Sequence, residues 1–263
     1  MARVRLDTLL AERGLFSSRT RAAASVMAGE VRVGGHGERA QKPGQMVEPD
    51  VPVDVDERPR FVSRGGLKLA NALAAFDLDP AGRACLDVGA STGGFTDCLL
   101  QGDARHVVAL DVAYGELDWR LRNDKRVTVL ERRNARAIGA GELPYAPDLV
   151  VIDVSFISLT KVLPAVLGCV ARSHDLLAMI KPQFEVGRGS VGKGGVVRDS
   201  ADRRAALVAV AAAARDLGAS VLGFASSGLP GPKGNLETFV RLAESDRRGD
   251  VGDLDAAARR VEP

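Results

Sequence analysis

A chain of 263 residues exceeds one small domain and falls short of three. Hydrophobic residues at 46%, charged residues at 27% and a net charge of +2 exclude a disordered, collagen-like or repeat-biased chain. No run approaches the ~18 apolar residues of a membrane span, and the first residues lack the apolar stretch of a signal peptide. Three distant cysteines (Cys85, Cys98, Cys169) and three histidines offer neither a disulfide framework nor a metal knuckle. The chain is expected to be reduced, cytoplasmic and monomeric, with no metal and no membrane partner.

Charge is unevenly placed. Residues 1–45 hold eight bases (Arg3, Arg5, Arg13, Arg19, Arg21, Arg32, Arg39, Lys42) against four acids, whereas residues 46–57 hold five acids and no base. Residues 1–57 are expected to form one small unit. Leu6, Leu9 and Leu10 at i, i+3, i+4 predict a helix stopped by Gly14. Ser17 or Ser18 can cap a second helix whose apolar side carries Ala23, Ala24, Val26 and Met27, closed by Gly29. Val31-Arg32-Val33 alternates as a strand into Gly34-Gly35, and a second strand pair is expected through 45–47 and 51–55.

The stretch Arg5–Gly35, with Arg5-Leu6-Asp7, Ser18-Arg19-Thr20-Arg21 and Gly29-x-Val31-x-Val33, resembles the S-four-like RNA-binding domain. That resemblance implies that Arg5, Arg19 and Arg21 face RNA. Physically, guanidinium groups at a helix N-terminus can join backbone N–H donors in gripping a phosphate.

Residues 58–62 are expected to link this unit to a second, 63–263. From residue 82 strands and helices alternate: strands at 83–88, 105–111, 126–130, 148–153, 175–180, 219–225 and 236–242, helices at 94–101, 159–171 and 201–217. This alternation predicts an open, mostly parallel α/β sheet with ligands at the carboxyl ends of its strands. Residues 226–235 are too rich in Ser, Gly and Pro for a crossover helix, so the seventh strand should return antiparallel. That ending matches class I methyltransferases, a Rossmann-like fold.

The run Asp87-Val88-Gly89-Ala90-Ser91-Thr92-Gly93-Gly94 follows the first of these strands and opens a helix. It lacks the second glycine of the dinucleotide fingerprint. Asp-x-Gly-x-x-x-Gly-Gly instead looks like the S-adenosylmethionine motif, which makes Asp87, Gly89, Ala90, Ser91, Gly93 and Gly94 candidate cofactor contacts. Asp111 closes the next strand, where a carboxylate can accept both ribose hydroxyls, and Asn134 is a candidate for the adenine edge. Gly187–Gly194 has the spacing of a phosphate loop through Lys193, but Gly194 stands where a hydroxyl should hold magnesium. Residues 186–197 are therefore expected to be a flexible loop over substrate, and an NTPase is not expected.

Four charged residues occupy chemically informative places: Lys68 in Val62-Ser63-Arg64-Gly65-Gly66-Leu67-Lys68, Asp153 and Lys181 at strand ends, and Glu237 entering the last strand. Each alone could cap a sheet edge. Together they are similar to the Lys-Asp-Lys-Glu tetrad of FtsJ-like 2′-O-ribose methyltransferases. With "VSRGGLKL", "DVGASTGGFTDCLL", "DVSFISL", "KPQFEVG" and "LPGPKGNLE", residues 4–242 resemble the TlyA (hemolysin A) family. The resemblance implies methyl transfer from S-adenosylmethionine to the 2′-hydroxyl of cytidine in ribosomal RNA of one or both ribosomal subunits. Lys181 is then the base or oxygen-positioning residue, Lys68 its electrostatic neighbour, and Asp153 and Glu237 orient the lysines; Arg64 joins the RNA-facing set. The tail, 243–263, is expected to be a solvated end or a terminal helix.

A lysine amine accepts a proton only when neutral, a form favoured by burial and a nearby ammonium and opposed by carboxylates. Three rival functions are weaker. A non-catalytic ribosome-assembly factor would not need a complete tetrad and cofactor turn. A hemolysin would need membrane-active segments. Base-directed methyltransferases carry Asn/Asp-Pro-Pro-aromatic or a nucleophilic Cys, where this chain has Asp153-Val154-Ser155-Phe156.

Overall fold

The structure is a computed structural model describing residues 3–27, 29–55 and 60–262; the expected linker residues Arg58 and Pro59 lie outside these. The chain divides into two compact units, Met1–Pro59 and Arg60–Pro263.

The first unit comprises β1 (Val4–Arg5), α1 (Leu6–Glu12), α2 (Arg19–Met27), β2 (Val31–Val33), β3 (Glu38–Arg39), β4 (Met46–Val47) and β5 (Val53–Val55). Leu6, Leu9 and Leu10 of α1 pack on Ala22 and Val26 of α2 and on Val31, Ala40 and Val47. The buried side of α2 is Ala22, Ser25 and Val26, so the expected face is rotated: Met27 is 75% exposed. The expected pairing of 45–47 with 51–55 also fails. β4 pairs with β1, and β5 pairs with β2, because each short segment finds a buried partner elsewhere.

The second unit runs α3 (Arg64–Ala75), β6 (Ala84–Val88), α4 (Gly94–Gln101), β7 (His106–Leu110), α5 (Trp119–Arg122), β8 (Val127–Leu130), β9 (Leu149–Ile152), α6 (Leu163–Leu167), β10 (Asp175–Ile180), α7 (Pro182–Glu185), α8 (Ser200–Asp216), β11 (Ser220–Ser226), β12 (Thr238–Ala243) and α9 (Leu254–Val261). Its seven-stranded sheet has the order β11-β12-β10-β9-β6-β7-β8. β12 lies antiparallel to both neighbours, and the pairs from β10 to β8 are parallel, as the crossover argument expects.

Strand alternation splits the core into two faces. Leu86, Val150, Ile152, Leu176 and Ile180 meet α6 and α8 on one side, whereas Cys85, Leu149, Val151, Leu177 and Phe239 meet α3 and α4 on the other. The expected helix at 159–171 is instead a short 3₁₀ turn, Leu159–Lys161, followed by α6. The tail packs rather than trailing in solvent. Ala257 and Ala258 of α9 are buried, and Glu262 accepts from Arg203 of α8 at 2.9 Å.

Residues 60–62, expected as linker, are part of this unit. Phe61 is buried, Val62 N donates to Asp97 Oδ2 at 2.8 Å, and Arg60 O accepts from Gln101 at 2.8 Å. Gly66 is required here, because a Cβ would strike the Phe61 ring.

Candidate active site

Parallel strands deliver their following residues to one sheet edge. Gly89 follows β6, Asp111 follows β7, Asp153 follows β9 and Lys181 follows β10. The antiparallel β12 begins at that same edge, with Thr238 opposite Ile180, so Glu237 arrives beside Lys181. A glutamate from a strand running the other way thus completes a set that parallel strands alone would leave open.

The four tetrad side chains line one cavity of about 250 Å³, together with Ser63, Arg64, Gly65, Gly89–Thr92, Gly94 and Phe95. They form two ion pairs. Lys68 Nζ, on α3, pairs with Glu237, both buried. Lys181 Nζ lies 2.5 Å from Asp153 Oδ1 and donates to Ser155 Oγ at 2.9 Å. A Cβ on Gly231 would collide with the Glu237 carboxylate, which explains a glycine in the turn before β12.

The turn after β6 is shaped by close approach. Gly89 N donates to Leu110 O at 2.8 Å, Gly89 has φ +86°, and a Cβ there would strike the Asp153 carbonyl. Gly93, at φ +97°, caps α4 against Leu117 and Leu121, and Gly94 abuts Ser63. A second cavity of about 470 Å³ shares Gly89, Ser91 and Asp153 with the first and runs along Asp111, Glu116, Asn134 and Arg136. Asp111 accepts Ser91 N on one oxygen and Ala113 N on the other, both at 2.7 Å. A carboxylate has about four lone-pair sites, so two remain for hydroxyl donors. Asn134 lines the same cavity while its side chain accepts from Arg136 N at 3.0 Å.

Two expected cofactor residues do not line either cavity. Gly93 shapes the turn from behind. Asp87 shares the strand face of Cys85, which points toward α4, and there Thr96 Oγ1 donates to its Oδ2 at 2.7 Å while Oδ1 is buried without a partner. Burial pushes this carboxyl up to about 7, against the Thr96 hydrogen bond, with the Asp153 charge adding to the rise.

A third cavity, about 400 Å³, opens from Lys181 and Glu237 past Ser155, Phe156, Phe184, Lys233 and Asn235. Phe156 is 92% exposed at φ +64°, with its ring 5.3 Å from that of Phe184. Ser63, Gly65, Ser155, Phe156 and Lys233 were not singled out from the sequence. The serine before "RGG" and the aromatic three residues after Asp153 were the available signals. The glycine loop lacks the helix that a phosphate loop opens: Arg188–Ser190 is a 3₁₀ turn, and the next helix starts only at Ser200.

In the first unit, Arg5 donates to Asp7 through Nε at 3.1 Å and Nη2 at 2.7 Å, and Arg19 Nε lies 3.3 Å from the same carboxylate. The Arg5 hydrogen bonds, aided by Arg19, hold the buried Asp7 carboxyl down at about 2. Both guanidinium groups stay about half exposed and Arg21 is exposed. Among the described residues, no group of three His, Cys, Asp or Glu could hold a metal ion, and no helix is long and apolar enough to cross a membrane.

A glycine-lined trough at the carboxyl edge of a 3-2-1-order half sheet, closed by an antiparallel strand, defines the class I methyltransferase fold. An S-adenosylmethionine dependent methyltransferase from Mesorhizobium loti shares that fold at 11% identity, with a TM-score of 0.50 over 67% of this chain and 98% of that one. Residues 61–244 match the FtsJ-like methyltransferase family and residues 4–53 the S4 domain. The 16S/23S rRNA (cytidine-2'-O)-methyltransferase TlyA of Mycobacterium tuberculosis (strain ATCC 25618 / H37Rv) is 49% identical over 98% of this chain and 97% of its own. Hemolysin A of Brachyspira hyodysenteriae is 37% identical over 91% of this chain and 99% of its own. A solved structure from Streptococcus thermophilus, described as a hemolysin, superposes with a TM-score of 0.74 at 40% identity over 99% of this chain and 96% of that one. The chain belongs to the TlyA (hemolysin A) family of FtsJ-like methyltransferases.

Proposed function

We propose that this chain is an S-adenosylmethionine-dependent ribosomal RNA methyltransferase acting on the 2′-hydroxyl of cytidine, with residues 1–57 gripping RNA and the unit that starts at Arg60 catalysing. One observation carries the reading: Lys68, Asp153, Lys181 and Glu237 line a single cavity between the glycine trough and the Phe156–Phe184 groove.

The trough suits the cofactor. Gly89 and Gly94 leave space that a side chain would fill, Asp111 keeps acceptor capacity for two ribose hydroxyls, and Asn134 and Arg136 border the far end. Ser63, Arg64 and Gly65, at the start of α3, offer a hydroxyl, a guanidinium and free helix N–H groups to a carboxylate. When bound, S-adenosylmethionine supplies a sulfonium methyl already activated for transfer.

The chain's own task is to align the acceptor and take its proton. Lys181 Nζ, held by Asp153 and Ser155, receives the 2′-hydroxyl proton. Lys68, held by Glu237, adds positive field beside the developing alkoxide. The exposed Phe156 ring is a stacking platform for an unstacked base, and Lys233 is a phosphate partner along the same groove. Arg5, Arg19 and Arg21 supply sequence-independent phosphate contacts. A ribosomal substrate places the chain in the cytoplasm.

The experiment is to map 2′-O-methyl groups in rRNA from cells with and without this protein. New methylated cytidines in its presence support the reading. Identical maps, or methyl groups on bases, overturn it.

A further inference from the structure

Lys181 is held twice. Its ammonium lies 2.5 Å from Asp153 Oδ1 and donates to Ser155 Oγ at 2.9 Å. An amine nitrogen has three positions besides its carbon. Ser155 Oγ takes one of them by a hydrogen bond and the Asp153 charge faces another, and Lys181 lines the cavity it shares with Lys68, Gly89 and Glu237. Ser155 borders both the cofactor-side trough and the aromatic groove, so it stands where the two halves of a methyl-transfer reaction would meet.

The Asp153 contact alone does not fix this direction. Asp153 Oδ1 has no partner with hydrogen-bond geometry, although it lies within ion-pair distance of Lys181. A point-charge attraction of that kind tolerates rotation of the Lys181 head. The directed bond is the one to Ser155, and directed bonds set orientation. The segment that follows Ser155 is anchored. Phe156 turns through φ +64°, and Ser158 Oγ and Leu159 N, a turn further on, donate to the half-buried Glu185 at 2.6 and 2.9 Å. Glu185 ends α7, which starts immediately after Lys181. The base and its orienting serine therefore sit on two segments cross-tied by Glu185.

We infer that Ser155 is a positioning residue for methyl transfer: its hydroxyl aims the remaining position of Lys181 Nζ at the acceptor 2′-hydroxyl. The inference rests on the functional reading above. In the reacting form Lys181 Nζ is the neutral amine: it donates one N–H to Ser155, its lone pair takes the 2′-hydroxyl proton to give the ammonium, and the oxygen's electron pair would form the O–CH3 bond as the methyl–sulfur bond of bound S-adenosylmethionine breaks, leaving the thioether. Misaim by about an ångström at a reacting centre costs on the order of a hundredfold in rate, so the effect should appear in turnover and not in binding.

The test compares wild type, Ser155→Ala and Ser155→Thr as full-length protein. Methyl transfer is measured on rRNA from cells lacking the protein, cofactor affinity by calorimetry, and Lys181 side-chain order by ¹³Cε relaxation in the free protein. Ser155 is exposed, so the Thr methyl has room and its hydroxyl can replace the original. In Ser155→Ala, kcat should fall ~10–100-fold with KM for RNA and S-adenosylmethionine affinity within about twofold, and Lys181 should become more mobile. Ser155→Thr should restore both. Wild-type kcat in Ser155→Ala, a loss expressed in KM, unchanged Lys181 order, or failure of Thr to rescue each overturns the inference. A wild-type chain that leaves rRNA unmethylated overturns the functional reading instead, while Lys181 relaxation still decides whether Ser155 holds the lysine.

Discussion

Asn235 holds the glycine-rich loop with both ends of its amide: Oδ1 accepts from Val197 N at 2.9 Å, and Nδ2 donates to Gly195 O at 2.8 Å. It is buried, two residues from the tetrad acid Glu237, and its own carbonyl accepts from Gly231 N at 2.8 Å. Asn235→Ala leaves the buried Val197 N–H unpaired, at a cost of about 1–3 kcal/mol, and removes the partner of the half-buried Gly195 carbonyl. The expected outcome is a lower thermal midpoint and reduced turnover, with S-adenosylmethionine affinity preserved because the trough lies on the far side of Asp153. Calorimetric binding that fails along with turnover would contradict this separation.

Gly89 is constrained twice, by φ +86° and by the Asp153 carbonyl that any Cβ would meet. Gly89→Ala should cost about 1–3 kcal/mol in backbone strain alone. It should also push the Asp153 turn outward, weakening cofactor binding at least ~10-fold. Cofactor titration of the folded variant checks this, and unchanged affinity would remove the β6 turn from the binding site.

Asp87 gives a pH signature. Its folded pKa, about 7, lies above the unfolded value near ~3.9, so the stability it allows is fully present below pH ~4 and is lost as pH rises through about 7. Asn keeps an acceptor for Thr96 and removes the buried charge. Asp87→Asn should therefore flatten the wild-type decline between those limits and melt at least ~2 °C higher than wild type at pH 8. Parallel melting curves across pH 4–8 would show that Asp87 is not the titrating group.

In the first unit, Arg19 and Arg21 should separate. Removing one phosphate-binding cation lowers the salt dependence of rRNA binding by about one unit of slope. Arg21→Ala should do only this. Arg19→Ala should also destabilise the first unit, because it removes one of two guanidinium partners of buried Asp7. Binding isotherms at several salt concentrations, with melting curves, distinguish the two. The cofactor trough should be unaffected by either.

The central sheet was legible because β6, β7, β9 and β10 are near-continuous apolar runs, as strands buried on both faces must be. The tetrad was legible because three of its members are tied to strand ends, where topology sends them to one edge. Helix α3 was not read: Gly65-Gly66 opens it, and those glycines answer to Phe61 and Phe95 rather than to helix propensity. The 159–171 stretch was overread because Leu163-Pro164 and Gly168 break it into a 3₁₀ turn and a short helix. Asp87 was assigned to the cofactor on spacing alone, but strand alternation turns it toward Thr96. Pairings among the two- and three-residue strands of the first unit depend on distant partners that no local pattern encodes.

The placement of β12 between β10 and β11 also orders events in time. On the ribosome, residues 238–243 are made after every other strand of the sheet, yet β11 has β12 as its hydrogen-bonded neighbour and Glu237 stands at the start of β12. Until that segment leaves the exit tunnel, β11 lacks its neighbour and Lys68 lacks its carboxylate. Residues 4–53, matching the S4 domain, have emerged long before. The segment that matches the S4 domain is therefore complete before the carboxylate that pairs with Lys68 has been made.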